Sequence, residues 1–455
     1  MSTLRPLAAL LGLAAAFSWI PLGATAHAAE VKVDAELGHT VLPTRKTGTV
    51  YLRLSLKSLA ARTSDRRTSI NAALVIDRSG SMRGSRISAA KEGARVALER
   101  LSSKDTVSIV AYNHEVDVLS PASPLRGSQD DLERAIRRLT ASGRTALYDG
   151  VKEGGRQLEE FISDDNVNRV VLLSDGLANV GPSSPRELAR LGRKLAARGI
   201  SVSTIGLGLD YNEDLMQRLA ASSDGNHVFV ERPSDLAEIF DQEFGDALSV
   251  SARDITIIIE CKAGFKPIRI LGREGEIKDN RITLKLNQLQ SDNERYVVVE
   301  LEAPEGRSEG DADIADVRLD YIDLDKGAPA HVKTSPRVRF SADAQEIEKG
   351  INKEVMSQVA AQIATEKSEK AVELRDKGDI SGARQLLQEN AGYIKKLTES
   401  YGSGPRAAST GTIDKLKELE EQNRVAADNL DEDNWSRTRK AMRADQHKAK
   451  VQQSY

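Results

Sequence analysis

Residues 77–81 place three oxygen donors within one short segment that reads D-R-S-G-S. Asp77 supplies a carboxylate, and Ser79 and Ser81 supply hydroxyls two and four positions later. A tight turn that contains a glycine can direct all three oxygens to one point. Hard oxygens of this kind suit Mg²⁺, which prefers octahedral geometry at about 2.0–2.1 Å and keeps several waters. A zinc site is disfavoured because no His or Cys accompanies them.

The elements around this segment predict where it lies. It follows an apolar run at residues 72–76, which is typical of a buried strand. Comparable runs occupy residues 107–112, 170–173 and 202–205. Longer stretches with helical spacing separate these runs, so we predict an α/β fold with a doubly wound, mostly parallel sheet. Ligand sites in such folds lie outside the carboxyl ends of the strands, which is where Asp77 falls.

The D-x-S-x-S segment resembles the metal-ion-dependent adhesion site (MIDAS) of von Willebrand factor A (VWA) domains. That family adds a threonine from a second loop and an aspartate from a third. Residues 142–147 resemble the second loop and supply Thr145, and residues 172–176 resemble the third and supply Asp175. All five positions of the motif are therefore matched in order.

The resemblance covers roughly residues 70–248 and implies a Rossmann-like VWA fold with one divalent cation. By that resemblance Ser79, Ser81 and Thr145 would ligate the ion directly, while the two aspartates would act mainly through waters. The ion would be Mg²⁺, or else Mn²⁺ or Ca²⁺. One coordination position would be left for an Asp or Glu side chain of a partner protein. The wider arrangement is similar to that of exported bacterial VWA-domain proteins.

Four arginines fall within or beside the expected metal loops: Arg78, Arg83, Arg86 and Arg144. A basic rim of this kind would favour acidic partners, since arginine forms bidentate bonds to carboxylates. The alternative is that these are ordinary exposed arginines.

Catalytic motifs are missing from the sequence. It contains no G-x-S-x-G, no G-x-x-x-x-G-K-[ST], no H-E-x-x-H and no C-x-x-C. We therefore expect a binding protein and not an enzyme.

The first 28 residues resemble a secretory signal peptide. An apolar stretch at residues 7–22 follows Arg5 and ends in small residues with two A-x-A patterns. The alternative is an uncleaved membrane anchor, which Pro21 disfavours. No later apolar run approaches spanning length, and the single cysteine, Cys261, excludes an intramolecular disulfide. We expect an exported bacterial protein, periplasmic or extracellular, without a transmembrane segment in the mature chain.

The remaining segments predict further domains. Residues 29–69 contain strands that we expect to join an antiparallel, sandwich-like β-rich domain at residues 249–341, whose last strand would span residues 332–340. Residues 342–401 predict a helical hairpin, residues 402–411 a linker that few contacts cross, and residues 412–455 one charged C-terminal helix. The α/β domain at residues 70–248 would be inserted between the strands.

Charge and composition exclude some partners. The formal net charge of the 455 residues is only −3, and aromatic residues make up 4%, so a nucleic-acid surface is not expected. The sequence favours an exported, cation-dependent, adhesion-type protein-binding function. The alternative is a structural or assembly factor of the cell envelope, in which the metal site clips a permanent partner and the helical tail makes the important contacts.

Overall fold

The computed structural model describes residues 31–45, 48–58, 68–163, 166–404, 406–451 and 453–454. The expected signal peptide at residues 1–28 lies outside these ranges. Within them, no helix combines the length and the apolar character needed to cross a membrane. The chain begins with three strands: β1 (Val31–Leu37), β2 (Val41–Pro43) and β3 (Thr49–Ser58).

An α/β region follows. Its strands are β4 (Ser69–Asp77), β5 (Thr106–Tyr112), β6 (Val116–Pro124), β7 (Asn166–Ser174), β8 (Ile200–Leu207) and β9 (His227–Val230). Its helices are α1 (Ser85–Glu99), α2 (Gln129–Arg138), α3 (Leu147–Leu158), α4 (Pro185–Ala196), α5 (Glu213–Ser222) and α6 (Leu236–Leu248). The sheet has the order β6-β5-β4-β7-β8-β9, and only β6 runs antiparallel to its neighbour. The mostly parallel sheet predicted from the sequence is confirmed.

Helices cover both faces of this sheet, which explains its continuous apolar strands. Helices α1, α2 and α6 pack on one face, and α3, α4 and α5 pack on the other. Every residue of β7 and β8 is buried as a result. The carboxyl ends of β4, β5 and β7 lie side by side, so the loops that follow them share one edge of the sheet.

A β unit follows the α/β region. Its strands are β10 (Val250–Cys261), β11 (Lys266–Leu271), β12 (Glu276–Lys278), β13 (Arg281–Gln290), β14 (Glu294–Glu302), β15 (Gly310–Asp313), β16 (Ala315–Asp323), β17 (Ala328–Thr334) and β18 (Arg337–Ser341). Two antiparallel sheets, β1-β3-β14-β11 and β12-β13-β10-β16-β17, share one apolar core. Strand β3 pairs with β14, and Leu54 lies opposite Val297. The α/β region is thus inserted between strands of the β unit.

The two connections between the α/β region and the β unit lie next to each other. Thr68 Oγ1 donates a hydrogen bond to the Val250 carbonyl oxygen at 2.8 Å. Ser251 Oγ, one residue further along, donates to Ser58 Oγ at 2.6 Å. The chain therefore enters and leaves the α/β region at one place.

The prediction of a single strand at residues 332–340 is wrong, because parts of two strands occupy this stretch. β17 ends at Thr334 and β18 begins at Arg337. Pro336 lies between them and has no N–H for a strand ladder, while its carbonyl oxygen accepts from Ile314 N at 3.0 Å. The proline separates the strands and sends β18 into a small sheet with β15 and β2.

The C-terminal region is helical. It consists of α7 (Ala344–Lys349), α8 (Lys353–Asp376), α9 (Ile380–Tyr401), α10 (Thr410–Asp428), α11 (Glu432–Val451) and the short strand β19 (Gln453–Ser454). The prediction of a single helix from residue 412 onward is therefore wrong, because α10 and α11 occupy this segment. Asp431 Oδ1 accepts from Asn434 N at 3.0 Å, so this carboxylate starts α11 as a new helix.

The expectation that few contacts cross residues 402–411 is also wrong. Arg406 NH1 donates to the Lys349 carbonyl oxygen at 2.7 Å, and Glu354 Oε2 accepts from Ser409 N at 2.7 Å. Polar side chains satisfy the backbone of this segment and hold it against α7 and α8. Beyond it, α11 returns to pack on α5 and β9 of the α/β region.

Candidate metal centre

Hydroxyl and carboxylate oxygens meet at the carboxyl edge of the central sheet. Ser79 Oγ lies 3.0 Å from Ser81 Oγ, and Ser81 Oγ donates to Asp175 Oδ1 at 2.7 Å. Asp77 Oδ1 accepts from the Ser79 backbone N–H at 2.7 Å. The first loop is thereby folded around its own carboxylate and linked to the third loop.

Gly176 marks the point toward which the hydroxyls converge. A Cβ atom at this glycine would lie 3.2 Å from Ser81 Oγ, 3.4 Å from Thr145 Oγ1 and 3.8 Å from Ser79 Oγ. Three hydroxyl oxygens from two loops therefore surround one small space beside Asp175. A side chain at Gly176 would fill that space.

Backbone hydrogen bonds hold the first and second loops together. Ser142 N donates to the Arg78 carbonyl oxygen at 2.7 Å, and Gly80 N donates to the Gly143 carbonyl oxygen at 3.0 Å. Gly143 has φ +81°, and a Cβ atom there would lie 2.3 Å from His114 Nδ1. Glycine is favoured at this position because its positive φ would strain a residue with a side chain, and the imidazole would have to move away from an added Cβ.

The buried carboxylate of Asp77 sits in an unfavourable environment when charged. Burial raises the pKa of Asp77 to about 6, although hydrogen bonds from Ser174 and Ser79 oppose the shift. Ser174 Oγ donates to Asp77 Oδ2 at 2.7 Å, so both carboxylate oxygens are hydrogen-bonded. No cationic side chain pairs with Asp77 among the residues that the structure describes.

Comparison with known proteins assigns this region to a family. Residues 71–242 match the model of the von Willebrand factor type A domain. The chain contains a VWA domain. It is similar to protein sll0103 of Synechocystis sp., with 28% identity over 251 residues, 52% of this chain and 58% of that protein. YfbK of Escherichia coli is 28% identical over 202 residues, 44% of this chain and 35% of YfbK.

The chain thus spans only 58% and 35% of the lengths of these two relatives. Among solved structures, a von Willebrand factor type A protein from Catenulispora acidiphila superposes with a TM-score of 0.66 at 15% sequence identity. That superposition covers 87% of this chain and 97% of the other. The two proteins share a fold that extends beyond the VWA domain.

The donor set of the VWA domain fits a hard divalent cation. The five converging side chains offer oxygen alone, from three hydroxyls and two carboxylates. Within the described ranges, no three His, Cys, Asp or Glu side chains group as they would around zinc. The buried carboxylates carry two negative charges, and Arg86 offsets one of them. A divalent cation would supply the missing positive charge.

Two of the four arginines expected to form a rim are already paired. Arg86 NH1 donates to Asp175 Oδ2 at 2.6 Å, and Arg78 pairs with Asp117. Carboxylates of the chain itself thus engage the Arg78 and Arg86 guanidinium groups, and a role of these two arginines in partner binding stays a prediction. Arg83 and Arg144 are exposed, and their role in partner binding stays a prediction.

Sequence reasoning missed the residues that support the loops. Asn113 Nδ2 donates to the Ser142 carbonyl oxygen at 2.9 Å, and its Oδ1 accepts from Glu115 N at 2.9 Å. Asn179 Oδ1 accepts from Thr145 N at 2.9 Å and so orients the threonine. A signal was available for Asn113, since it directly follows the apolar run at residues 107–112 and must lie at the same sheet edge.

Proposed function

We propose that the protein binds a partner protein through a divalent cation, which coordinates an Asp or Glu side chain of that partner. The observation that carries this proposal is the convergence of three hydroxyl oxygens around Gly176, beside two buried carboxylates with one compensating arginine. The residues that would hold the cation are Asp77, Ser79, Ser81, Thr145 and Asp175.

Charge balance supports a carboxylate as the ligand. When bound, the ion supplies a positive centre that accepts an anionic oxygen. The ion and Arg86 together would exceed the charges of Asp77 and Asp175 by one. Asp210 also contacts Arg86, but its side chain is 69% exposed and solvent screens its charge. One further anion would therefore neutralise the loaded centre.

The surface beside the centre indicates the kind of segment that would bind. Leu177 directly follows Gly176, and its side chain is 57% exposed. Arg144 directly precedes Thr145 and is also exposed. We infer a partner segment in which an acidic residue for the ion is flanked by an apolar residue that contacts Leu177. A second acidic residue in that segment would pair with Arg144.

Export is part of this proposal. The signal-like residues 1–28 support a periplasmic or extracellular protein. With one cysteine the chain can form no intramolecular disulfide, so in an oxidising compartment its stability would come from its cores. We propose that it acts by binding and not by catalysis.

The rival function as an envelope assembly factor depends on a tail that is free to contact partners. Helix α11 instead packs on α5 of the VWA domain, and several of its charged side chains pair there. The contacts of α11 therefore favour a cation-dependent binder over a scaffold held by its tail.

The proposal is tested in two steps with the full mature chain. Calorimetry with Mg²⁺ and Mn²⁺ should show one site in the wild type and none in Ser81→Ala. The matched control is Ser88→Ala, because the Ser88 hydroxyl is exposed and bonds only to the Gly84 carbonyl among the described residues. Equal cation binding by wild type and Ser81→Ala would overturn the assignment of the centre.

Cross-linking in the native envelope, with and without EDTA, then tests partner binding. Partners should be captured only with the cation present, and Ser81→Ala should capture none of them. Capture that persists in EDTA would contradict cation-mediated binding and support the assembly role.

A further inference from the structure

The loop between β8 and α5 connects to the metal centre through Arg86. Arg86 NH2 donates to Asp210 Oδ2 at 3.2 Å, while its NH1 donates to Asp175 Oδ2 at 2.6 Å. Gly208, at φ +77°, brings the loop close to this arginine, because a Cβ atom there would lie 3.1 Å from Arg86 NH2. The loop thus supports the arginine that orients the Asp175 carboxylate.

Tyr211 anchors the same loop. Its side chain is buried at 1% exposure, and its ring covers Gly206 so closely that a Cβ atom there would lie 2.2 Å from the ring. Lys440 Nζ of α11 lies 4.8 Å from the centroid of this ring, a cation–π contact. Helix α11 therefore contacts the loop directly.

Glu213, the first residue of α5, strengthens this contact. It is 5% exposed, and its Oε2 accepts from Lys440 Nζ at 2.7 Å. Lys440 is 4% exposed, so both charges are buried and depend on each other. Arg439 pairs with Glu213 through its NH1 and with Asp214 Oδ2 at 2.6 Å through its NH2. These pairs fix α11 on the end of the loop that supports Arg86.

We propose that Lys440 and Arg439 of α11 are positioning residues for the metal centre. By holding Tyr211 and Glu213 they keep Asp210 and Arg86 in place against Asp175, and they thereby raise the affinity of the centre for a divalent cation. The inference rests on the proposed function only in requiring that the centre binds a cation.

The direction of the effect follows from the geometry. Asp175 has one oxygen on Ser81 and the other on Arg86, so its orientation depends on both. Freeing the β8–α5 loop removes one of the two carboxylates that hold Arg86, and Asp175 then samples more orientations. Binding a cation must restrict those orientations again, which weakens affinity.

The experiment measures Mn²⁺ affinity by calorimetry in the full mature chain. Lys440→Met should weaken binding about fivefold, within the range for residues that act through intermediates. Lys440→Arg should restore most of the affinity, because arginine can still reach Glu213. The matched control is Arg437→Gln, which removes an α11 ion pair with the exposed Glu231 and should leave affinity unchanged.

Because Lys440→Met leaves Glu213 buried without its lysine, the variant Lys440→Met/Glu213→Gln removes both charges and guards against misfolding. A double-mutant cycle with Asp210→Asn then separates positioning from general destabilisation. If both residues act through the loop, the combined variant should bind Mn²⁺ no more weakly than the weaker single variant. Hydrogen exchange in EDTA should rise at residues 208–212 in the Lys440 variants.

Wild-type affinity in both Lys440→Met and the paired variant would overturn the positioning role while leaving the proposed function standing. Additive losses in the cycle, or unchanged exchange at residues 208–212, would overturn it as well. If the wild-type chain itself bound no Mn²⁺, the proposed function would fail together with this inference.

Discussion

Two aspartates at opposite edges of the VWA sheet, the mostly buried Asp224 and the fully buried Asp77, have opposite electrostatic surroundings. Asp224 lies in the turn before β9, at the amino edge, where Arg295 NH2 donates to its Oδ1 at 2.6 Å and Arg273 NH1 lies 3.1 Å from the same oxygen. Burial alone would raise the pKa of Asp224, but the two arginines bring it well below its ordinary value. At the carboxyl edge, burial raises the pKa of Asp77 to about 6.

The difference separates a charge that the chain neutralises from one that it does not. The β unit supplies Arg295 and Arg273, so the Asp224 charge is neutralised within the chain and fastens the VWA domain to its neighbour. Arg86 pairs with Asp175, and no cationic side chain among the described residues pairs with Asp77, which leaves a deficit of positive charge next to three hydroxyls. An external cation fills that deficit in the function that we propose.

The largest expected change in stability comes from a substitution at the amino edge of the VWA sheet. Asp224→Ala leaves two buried arginines without their carboxylate and should lower the free energy of unfolding by about 3–5 kcal/mol. Urea unfolding of wild type and variant measures this loss, with Glu160→Ala as the control on an exposed carboxylate of the same domain. A loss below about 1 kcal/mol would show that the pairing contributes little.

At the carboxyl edge, the cation itself should stabilise the fold. Mg²⁺ at about 100 times its dissociation constant should raise the free energy of unfolding by about 2.7 kcal/mol, since it binds the folded state alone. EDTA should reverse the gain, and Thr145→Ala should not show it. Asp224→Ala should retain the full increment, and its absence there would mean that the two edges are coupled.

Asp77→Ala should separate cation binding from folding. Removing this carboxylate should lower cation affinity at least about tenfold. In EDTA the variant should be as stable as wild type or slightly more stable, because burial and, to a smaller extent, Asp175 disfavour the charged Asp77 carboxylate, which offsets the hydrogen bonds lost from Ser174 and Ser79. Metal titration and circular dichroism on Asp77→Ala and Asp175→Ala make the test. Wild-type cation affinity in both variants would contradict the site assignment. Global unfolding of Asp77→Ala would show that this residue is needed for folding.

The smallest effect is a pH dependence at the amino edge. Burial lowers the pKa of His447 to about 4 and that of His227 to about 3, and the two rings meet edge to face at 6.0 Å. Between these values and the ordinary 6.5, the unfolded chain binds more protons, so stability falls as pH drops below about 6.5. Each histidine should cost about 1 kcal/mol at pH 6.

His447→Gln should therefore flatten the fall in stability between pH 7 and pH 5, measured by urea unfolding in EDTA. The raised pKa of Asp77 works in the opposite direction in metal-free protein and is common to both chains, so the difference between them isolates His447. Identical pH profiles would contradict a neutral, buried imidazole at this position.

More of the candidate metal centre than of its surroundings could be predicted from the sequence. Strand ends and the D-x-S-x-S spacing predict that Asp77, Ser79 and Ser81 share an edge with Thr145 and Asp175. The structure brings the side-chain oxygens of Ser79, Ser81, Thr145 and Asp175 together, and Asp77 accepts from the Ser79 backbone beside them. The role of Arg86 could not be predicted, because its pairing depends on how α1 is turned toward Asp175. The sequence does not distinguish an arginine that contacts a partner from one that pairs with a carboxylate of its own chain.

Two of the wrong predictions, the single strand at residues 332–340 and the single helix from residue 412 onward, overlooked residues that signal a break. Pro336 divides the stretch at residues 332–340, and Asp431 carries the side chain that caps α11. The docking of α11 is a different case. Lys440 and Arg439 belong to a helical tail in which acids and bases are nearly balanced, which predicts a solvated surface. Their partners, the buried Glu213 and the partly exposed Asp214, lie more than 200 residues away.

The adjacent connections of the VWA domain have a mechanical consequence. Thr68 is bonded to Val250, and Ser251 to Ser58, so the domain is fastened to the β unit by two neighbouring tethers. A partner that pulls on the metal loops loads strand β4 along its axis, in the centre of the sheet. Such a load has to shear the hydrogen bonds to β5 and β7 together, which resists force far better than opening them one by one. Tension between the two edges would therefore be carried by β4 and by its neighbours on both sides.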